Sequence, residues 1–415
     1  MMKKGFWLSY KDVLSQGAYK ILDDLWNIGV DKVSLFVAAS GKIYFNPKER
    51  YFSKTNFKVF KGLERDLLRE FLEVANSFGI HVTATIVCVV DPVHATNNPN
   101  ARLVDVYGTP HSYGLCPNNP DLREYLKGLA RNLALEYDID EVELDYIRYK
   151  RSRDEKLLPL HLFMGRYCYC SYCRDKAQKY GIEWDKLIGI AKEIFELSKT
   201  SVDNMKNMKM YFSTGGIAGL YSRNSILSEW LEFRGRCIYE LVREIKENVK
   251  ETGVKLSADL FYPTLSWQVG QDYKKLALVL DSAKPMIYTA RMGAWETRYI
   301  RRLLRVLGEE YINDFEKYLS NLLGIKIRSI DEFELKGAPP EVAYRESYTA
   351  RKLMGDKVKI YTGLYSGYDP SIVDNNEIVF RKTIKNALKA DIDGLYFFSY
   401  SITRTSHKKI IKEIS

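Results

Sequence analysis

Short apolar runs rich in β-branched and aromatic residues alternate with amphipathic segments of helical period along the whole chain. Eight runs read as strands: Gly5–Ser9, Lys32–Ala39, His81–Val90, Glu141–Tyr146, Lys255–Tyr262, Ala283–Thr289, Lys357–Leu364 and Gly394–Ser401. The third is apolar almost throughout, as expected of a strand covered on both faces. Between them the spacing predicts helices over Tyr10–Ile28, with Val13, Leu14, Ile21, Leu22 and Leu25 on one face, and over Gly62–Phe78, stopped by Gly79. A long loop is expected over Asp91–Pro117. Asn119 and Pro120 then supply an N-cap and a first helical position for a helix carrying Leu122, Leu126, Leu129 and Leu133. Further helices are expected over Ser225–Lys250 and Ile378–Lys389.

Eight strand–helix alternations predict an α/β chain folded as a single (β/α)8 barrel spanning residues 1–415. A doubly wound open sheet shares the alternation, but eight strands and large excursions after strands three, four and six favour closure. Residues 150–222 form the expected insertion after strand four, and residues 290–355 a mostly helical insertion after strand six.

Composition narrows the class. With 46% hydrophobic and 28% charged residues, 26 Gly and 12 Pro in 415 residues, the chain is neither disordered nor collagenous. No apolar run reaches the ~18 residues of a membrane span. The start, Met1–Tyr10, lacks the apolar core of a signal peptide, so the default expectation is a cytoplasmic protein. The net charge of +10 invites a nucleic-acid partner. Both signs are mixed along the helices, however, and the densest basic run, Arg298–Arg305, alternates with an apolar stripe of Tyr299, Ile300, Leu303 and Leu304. That pattern is a solvated helix face and argues against nucleic acid. Lys and Glu richness fits a thermophile.

In such a barrel, chemistry sits at the C-terminal ends of the strands. Strand four ends Val142-Glu-Leu-Asp-Tyr-Ile-Arg-Tyr149, placing Asp145 near the exit and Arg148 close by. A carboxylate inside an apolar strand is costly unless paired, solvated or used. Asp145 is therefore either a catalytic carboxylate supported by Arg148 or half of a buried ion pair closing the barrel. Strand five places Asp259 near its end, and glycoside hydrolysis needs two such carboxylates. Asp91, past strand three, is a third candidate for the site; Glu296 and Glu346 are weaker ones. Thirty Tyr and six Trp supply rings for sugar faces. Tyr146, Tyr262, Tyr288, Trp295 and Tyr400 lie at or just after strand ends and are the expected substrate-binding aromatics, with Arg148.

Cys168-Tyr-Cys170-Ser-Tyr-Cys173 packs three thiols into six residues, close to metal-ligand spacing. Cys116, in the loop after strand three, can meet that cluster at the same rim as a fourth ligand. Structural Zn2+ is the expected occupant, since four thiolates leave no open position. Disulfides and an iron–sulfur cluster are the alternatives. Cys88 and Cys237 read as core thiols. No glycine-rich nucleotide loop appears, so no organic cofactor is expected.

The stretch Leu115-Cys-Pro-Asn-Asn-Pro-Asp-Leu-Arg-Glu-Tyr-Leu126 followed by Tyr137-Asp-Ile-Asp-Glu-Val-Glu-Leu-Asp-Tyr-Ile-Arg-Tyr149 resembles the amylase-like group of glycoside hydrolase barrels. Glu229-Trp-Leu-Glu-Phe-Arg234 and Lys284-Pro-Met-Ile-Tyr288 resemble that group as well. The resemblance implies a barrel acting on glycosidic bonds, with Asp145 as candidate nucleophile. The cysteine cluster with its upstream Cys is similar to the zinc site of family 42 β-galactosidases. The Asn-Glu pair that those barrels carry at the end of strand four is absent here. Glu141 replaces the group's usual glycine, and Asp259 stands where amylases have a glutamate.

The expectation is thus a glycoside hydrolase with Asp145 as nucleophile or electrostatic stabiliser, Asp259 as general acid and a carbohydrate substrate. A non-catalytic carbohydrate-binding barrel and a polyanion- or nucleic-acid-binding barrel are the alternatives. No sequence feature sets an oligomeric state.

Overall fold

The computed structural model describes residues 2–197, 214–367 and 375–414. Residues 198–213 of the expected insertion after strand four lie outside the described residues. Eight parallel strands form the barrel: β1 (Lys3–Ser9), β2 (Lys32–Ala39), β3 (His81–Val87), β4 (Glu141–Asp145), β5 (Lys255–Phe261), β6 (Ser282–Met286), β7 (Lys359–Tyr365) and β8 (Gly394–Phe398). Each pairs with its sequence neighbour, and β1 pairs with both β8 and β2, which closes the sheet. All eight expected strands are present and shift by a few residues at their ends.

Local chemistry explains the helix boundaries. The helix expected over Tyr10–Ile28 is two helices, Tyr10–Gln16 and Ala18–Asn27. Gly17 separates them with φ 80° and ψ 147°, a conformation no helical residue adopts. The first is started by a capping box between Ser9 and Asp12. The helix expected from Gly62 begins only at Leu67, where the Asp66 side chain accepts the Arg69 N–H; it ends, as expected, at left-handed Gly79. The segment expected as a loop over Asp91–Pro117 is partly ordered into a helix, Pro92–Asn97, and an antiparallel pair, Arg102–Val104 with Pro110–Leu115. Asp91 is the cap of that short helix, a signal of only three residues that a search for long periods passes over. Among the described residues no helix is long and apolar enough to cross a membrane.

The barrel interior is charged. Lys284 of β6 has no solvent exposure and donates to Glu141 Oε1 at 3.2 Å, to Ser34 Oγ at 3.0 Å and to Glu143. Glu143 also accepts from Trp7 Nε1 at 3.2 Å and from Thr85 Oγ1 at 2.9 Å. Burial pulls the Lys284 ammonium down to about 8 against the opposing pull of Glu141. Removing one member of such a cluster leaves the others buried and uncompensated. Lys284→Met is therefore expected to cost about 3–5 kcal/mol in denaturant unfolding, with most of the loss recovered when Glu141→Gln and Glu143→Gln are added. A loss under about 1 kcal/mol would show that the cluster is not an ion pair in solution.

Candidate active site

The carboxyl ends of the strands open into a cavity of about 800 Å3. This is in the size range of small-molecule sites, at the face where barrel enzymes work. Asp145, the last residue of β4, lies on its wall and is only 5% exposed. Its Oδ1 accepts the Tyr146 backbone N–H at 2.6 Å and Arg148 Nη1 at 3.5 Å. Burial raises the Asp145 carboxyl above its ordinary value, and Arg148 works against that rise. Tyr146 is held at φ 56°, a left-handed conformation that a bulky residue pays for. Its ring lies 4.0 Å from the Arg148 guanidinium. The strand sequence explains the arrangement: Glu141, Glu143 and Asp145 alternate inward, and the exit is where water and ligand can reach the last of them.

Asp259 of β5 is the neighbour of Asp145. The strands pair Leu144 with Ala258, so the next residues stand side by side. Asp259 Oδ2 accepts Trp7 Nε1 at 3.2 Å, and burial, followed by repulsion from Asp145, pushes its carboxyl well above the ordinary range. Two adjacent buried carboxyls resist ionising together, and burial raises both of them. Asp259 does not itself line the cavity; Trp7 does.

The second carboxylate on the cavity wall is Glu296, from the helix Thr289–Leu307 after β6. Tyr262 Oη donates to its Oε1 at 3.4 Å, and Arg151 Nη2 reaches its Oε2 at 3.4 Å. Rings make up much of the rest of the lining. Tyr288 lies at the centre, 5.8 Å from Trp295, 5.3 Å from Phe398 and, edge to face, 6.2 Å from Trp7.

The structure thus brings together Asp145, Tyr146, Arg148, Tyr262, Tyr288 and Trp295. It leaves out Asp91, whose Oδ1 accepts the His94 N–H at 2.8 Å, and Tyr400, whose hydroxyl donates to Asp24 at 2.8 Å. Sequence reasoning missed Trp7, Phe261 and Phe398, and the cations Lys150, Arg151, Arg166, Arg298 and Arg302. Trp7 and Phe398 had a signal, as ring-bearing residues near strand ends. The cations had none, because they come from irregular segments and from one helix.

Cys116, Cys168, Cys170 and Cys173 are all buried, with their sulfurs within 4.8 Å of one another. Cys116 Sγ lies 3.5 Å from Cys173 Sγ and 3.4 Å from Cys170 Sγ. These separations are too long for disulfides and lie close to the sulfur–sulfur edge of about 3.8 Å that a tetrahedron with 2.3 Å metal–sulfur bonds requires. Outer-shell donors are in place: the Asn118 backbone N–H faces Cys116 Sγ at 3.4 Å, and Asn118 Nδ2 faces Cys173 Sγ at 3.2 Å. The four thiols can hold a metal ion. Cys237 lies just outside, 3.2 Å from Asn118 Nδ2, and Cys88 is buried elsewhere, beside Asp145.

A closed eight-stranded parallel barrel flanked by helices, with a cavity at its strand ends, is the architecture of the (β/α)8 barrels. Residues 37–302, more than half of the chain, match the family model described as "Putative glycosyl hydrolase domain", and the chain belongs to that family. No curated protein matches the sequence. Among solved structures, the PgaB (BpsB) glycoside hydrolase domain from Bordetella bronchiseptica is similar at 10% identity, covering 99% of this chain and 98% of that one, with a TM-score of 0.58. A β-galactosidase from the haloarchaeon Halorubrum lacusprofundi has 12% identity, 99% and 57% coverage and a TM-score of 0.63, so this chain spans little over half of it. The catalytic domain of β-amylase from Paenibacillus polymyxa has 12% identity, 98% and 94% coverage and a TM-score of 0.55. At these identities the likeness is one of fold.

Proposed function

We propose that the protein hydrolyses a glycosidic bond in the cavity at the strand ends, with Asp145 as the nucleophilic or charge-stabilising carboxylate. The observation that carries this reading is the cavity itself: two carboxylates, Asp145 and Glu296, face a space walled by Tyr288, Trp295, Tyr262 and Phe398. Sugar rings stack on such walls, and paired carboxylates do the proton transfer and the attack. Arg148 supports the ionised form of Asp145, and a protonated Asp259 beside it keeps the second negative charge out of the pair. The general acid is Glu296 in preference to Asp259, because Glu296 is in contact with the cavity and Asp259 is not. Asp259 is a positioning residue that orients Trp7. A structural zinc ion held by Cys116, Cys168, Cys170 and Cys173 completes the proposal; it takes no part in the reaction, since four thiolates leave no coordination position open.

The test is release of reducing ends from aryl glycosides and a polysaccharide panel. Glu296→Gln is expected to lose about 100-fold or more on natural glycans and far less on dinitrophenyl glycosides, whose leaving group needs no proton. An equal loss on both kinds of substrate would remove Glu296 from the acid role. Hydrolysis of no substrate by the wild type, with sugar binding retained, would favour the non-catalytic barrel.

A further inference from the structure

A second cavity of about 460 Å3 adjoins the first and shares Lys150, Arg151, Arg166 and Arg302 with it. Its lining adds Tyr113, Ser152 and Arg153 and includes no acidic residue. Arg302 is paired with Glu155 at 2.8 Å and Arg151 with Glu296 at 3.4 Å. Lys150, Arg153 and Arg166 have no carboxylate within 4.0 Å among the described residues.

Arg166 is the decisive group. Its residue is 7% exposed, its Nε is buried without a hydrogen-bond partner, and its guanidinium lines both cavities. Its backbone is fixed: its N–H donates to the Gln268 carbonyl at 2.7 Å, and Lys150 and Tyr167 form an antiparallel bridge alongside. Arg151 and Arg148 repel the Arg166 guanidinium, Glu296 and Tyr299 attract it from beyond ion-pair distance, and the ring of Phe261 lies 5.1 Å away. Burial together with Arg166 and Arg148 also pulls the Lys150 ammonium down to about 7. A buried guanidinium with no carboxylate in direct contact is costly, and an anion in the cavity would offset that cost through charge-assisted bonds.

We infer that the second cavity is a subsite for a sugar residue bearing a negatively charged substituent, a carboxylate or a sulfate or phosphate ester, gripped by Arg166, Lys150 and Arg153 beside the reacting centre. The inference rests on the glycosidase reading for its place next to the scissile bond, but the charge recognition stands on Arg166.

The test is isothermal titration of galacturonate, galactose 6-sulfate and galactose into the full chain at low salt. The two charged sugars are expected to bind at least about tenfold tighter than galactose, with the margin shrinking at high salt. Arg166→Gln is expected to remove the margin. Lys150→Gln with Arg153→Gln, which leaves the buried Arg166 in place, guards against a folding artefact and is expected to reduce the margin at least about threefold. Asp145→Asn is expected to keep it. Equal binding of all three sugars, no binding by the charged ones, or a margin that survives both sets of substitutions overturns the inference. So does a DNA oligonucleotide that displaces galacturonate and binds more tightly than either charged sugar. A charge preference in a protein that hydrolyses nothing overturns the hydrolase reading alone. Hydrolysis confined to neutral glycans, without a charge preference, overturns this inference alone.

Discussion

Asp145→Asn is expected to lower hydrolysis about a thousandfold to ten-thousandfold while leaving the fold intact. Asparagine has the same shape and keeps an oxygen for the Tyr146 N–H, so the left-handed turn at Tyr146 need not rearrange. What is lost is the charge. Arg148 loses its only ion-pair partner among the described residues but keeps the Tyr146 ring at 4.0 Å, so the melting temperature should move by only a few degrees. The wild-type pH profile supplies an independent check. Burial raises the Asp145 carboxyl, so a reaction that needs its ionised form gains rate with rising pH, along a limb lying above the ordinary aspartate range. Activity retained in Asp145→Asn would end its assignment as the reacting carboxylate.

Metal removal is expected to have the largest effect on stability. Cys116 precedes the capped helix Pro120–Glu136, and Cys170 is the N-cap residue of the helix Ser171–Lys179. A metal ion held by the four thiols would tie the excursion after β3 to the excursion after β4, and the latter carries Lys150, Arg151, Arg153 and Arg166. Structural metal sites contribute folding free energy directly. Cys168→Ser, or dialysis against a chelator, is therefore expected to lower the melting temperature by about 10 °C or more. Activity should fall with it, because the cationic wall of the cavity loses its anchor. Elemental analysis should find one zinc per chain, and adding zinc back should restore the chelated wild type but not the variant. A protein with no bound metal and a melting temperature indifferent to chelator would mean that the four buried thiols are packing groups.

Much of this was legible in the chain. The eight strands follow from runs of Val, Ile, Leu, Phe and Tyr whose length suits a strand, and their number, with the large excursions after strands three, four and six, favoured closure over an open sheet. Asp145 and Asp259 stood out because a carboxylate in an apolar strand demands a reason. The cysteine cluster was legible because ligand spacing is local, and Cys116 joined it through loop order alone. Glu296 was only a weak candidate, since a glutamate in a helix is ordinarily a solvated one; only the packing of Thr289–Leu307 over the strand ends turns it toward the cavity. Asp91 and Tyr400 sit at the right places along the chain and turn away, one to cap a helix and one to bond Asp24.

The sequence by itself determined the alternation of elements, the barrel and the carboxylates at its strand ends, because strand and helix periods and the cost of burying charge act over a few residues. Only the tertiary structure decided which carboxylate faces the cavity, that Asp145 and Asp259 stand side by side as a buried pair, and that Arg166 is buried with no carboxylate in ion-pair contact among the described residues. Those properties depend on which groups from distant segments end up within a few ångströms of one another, and electrostatic energies in a low-dielectric interior are set by that distance.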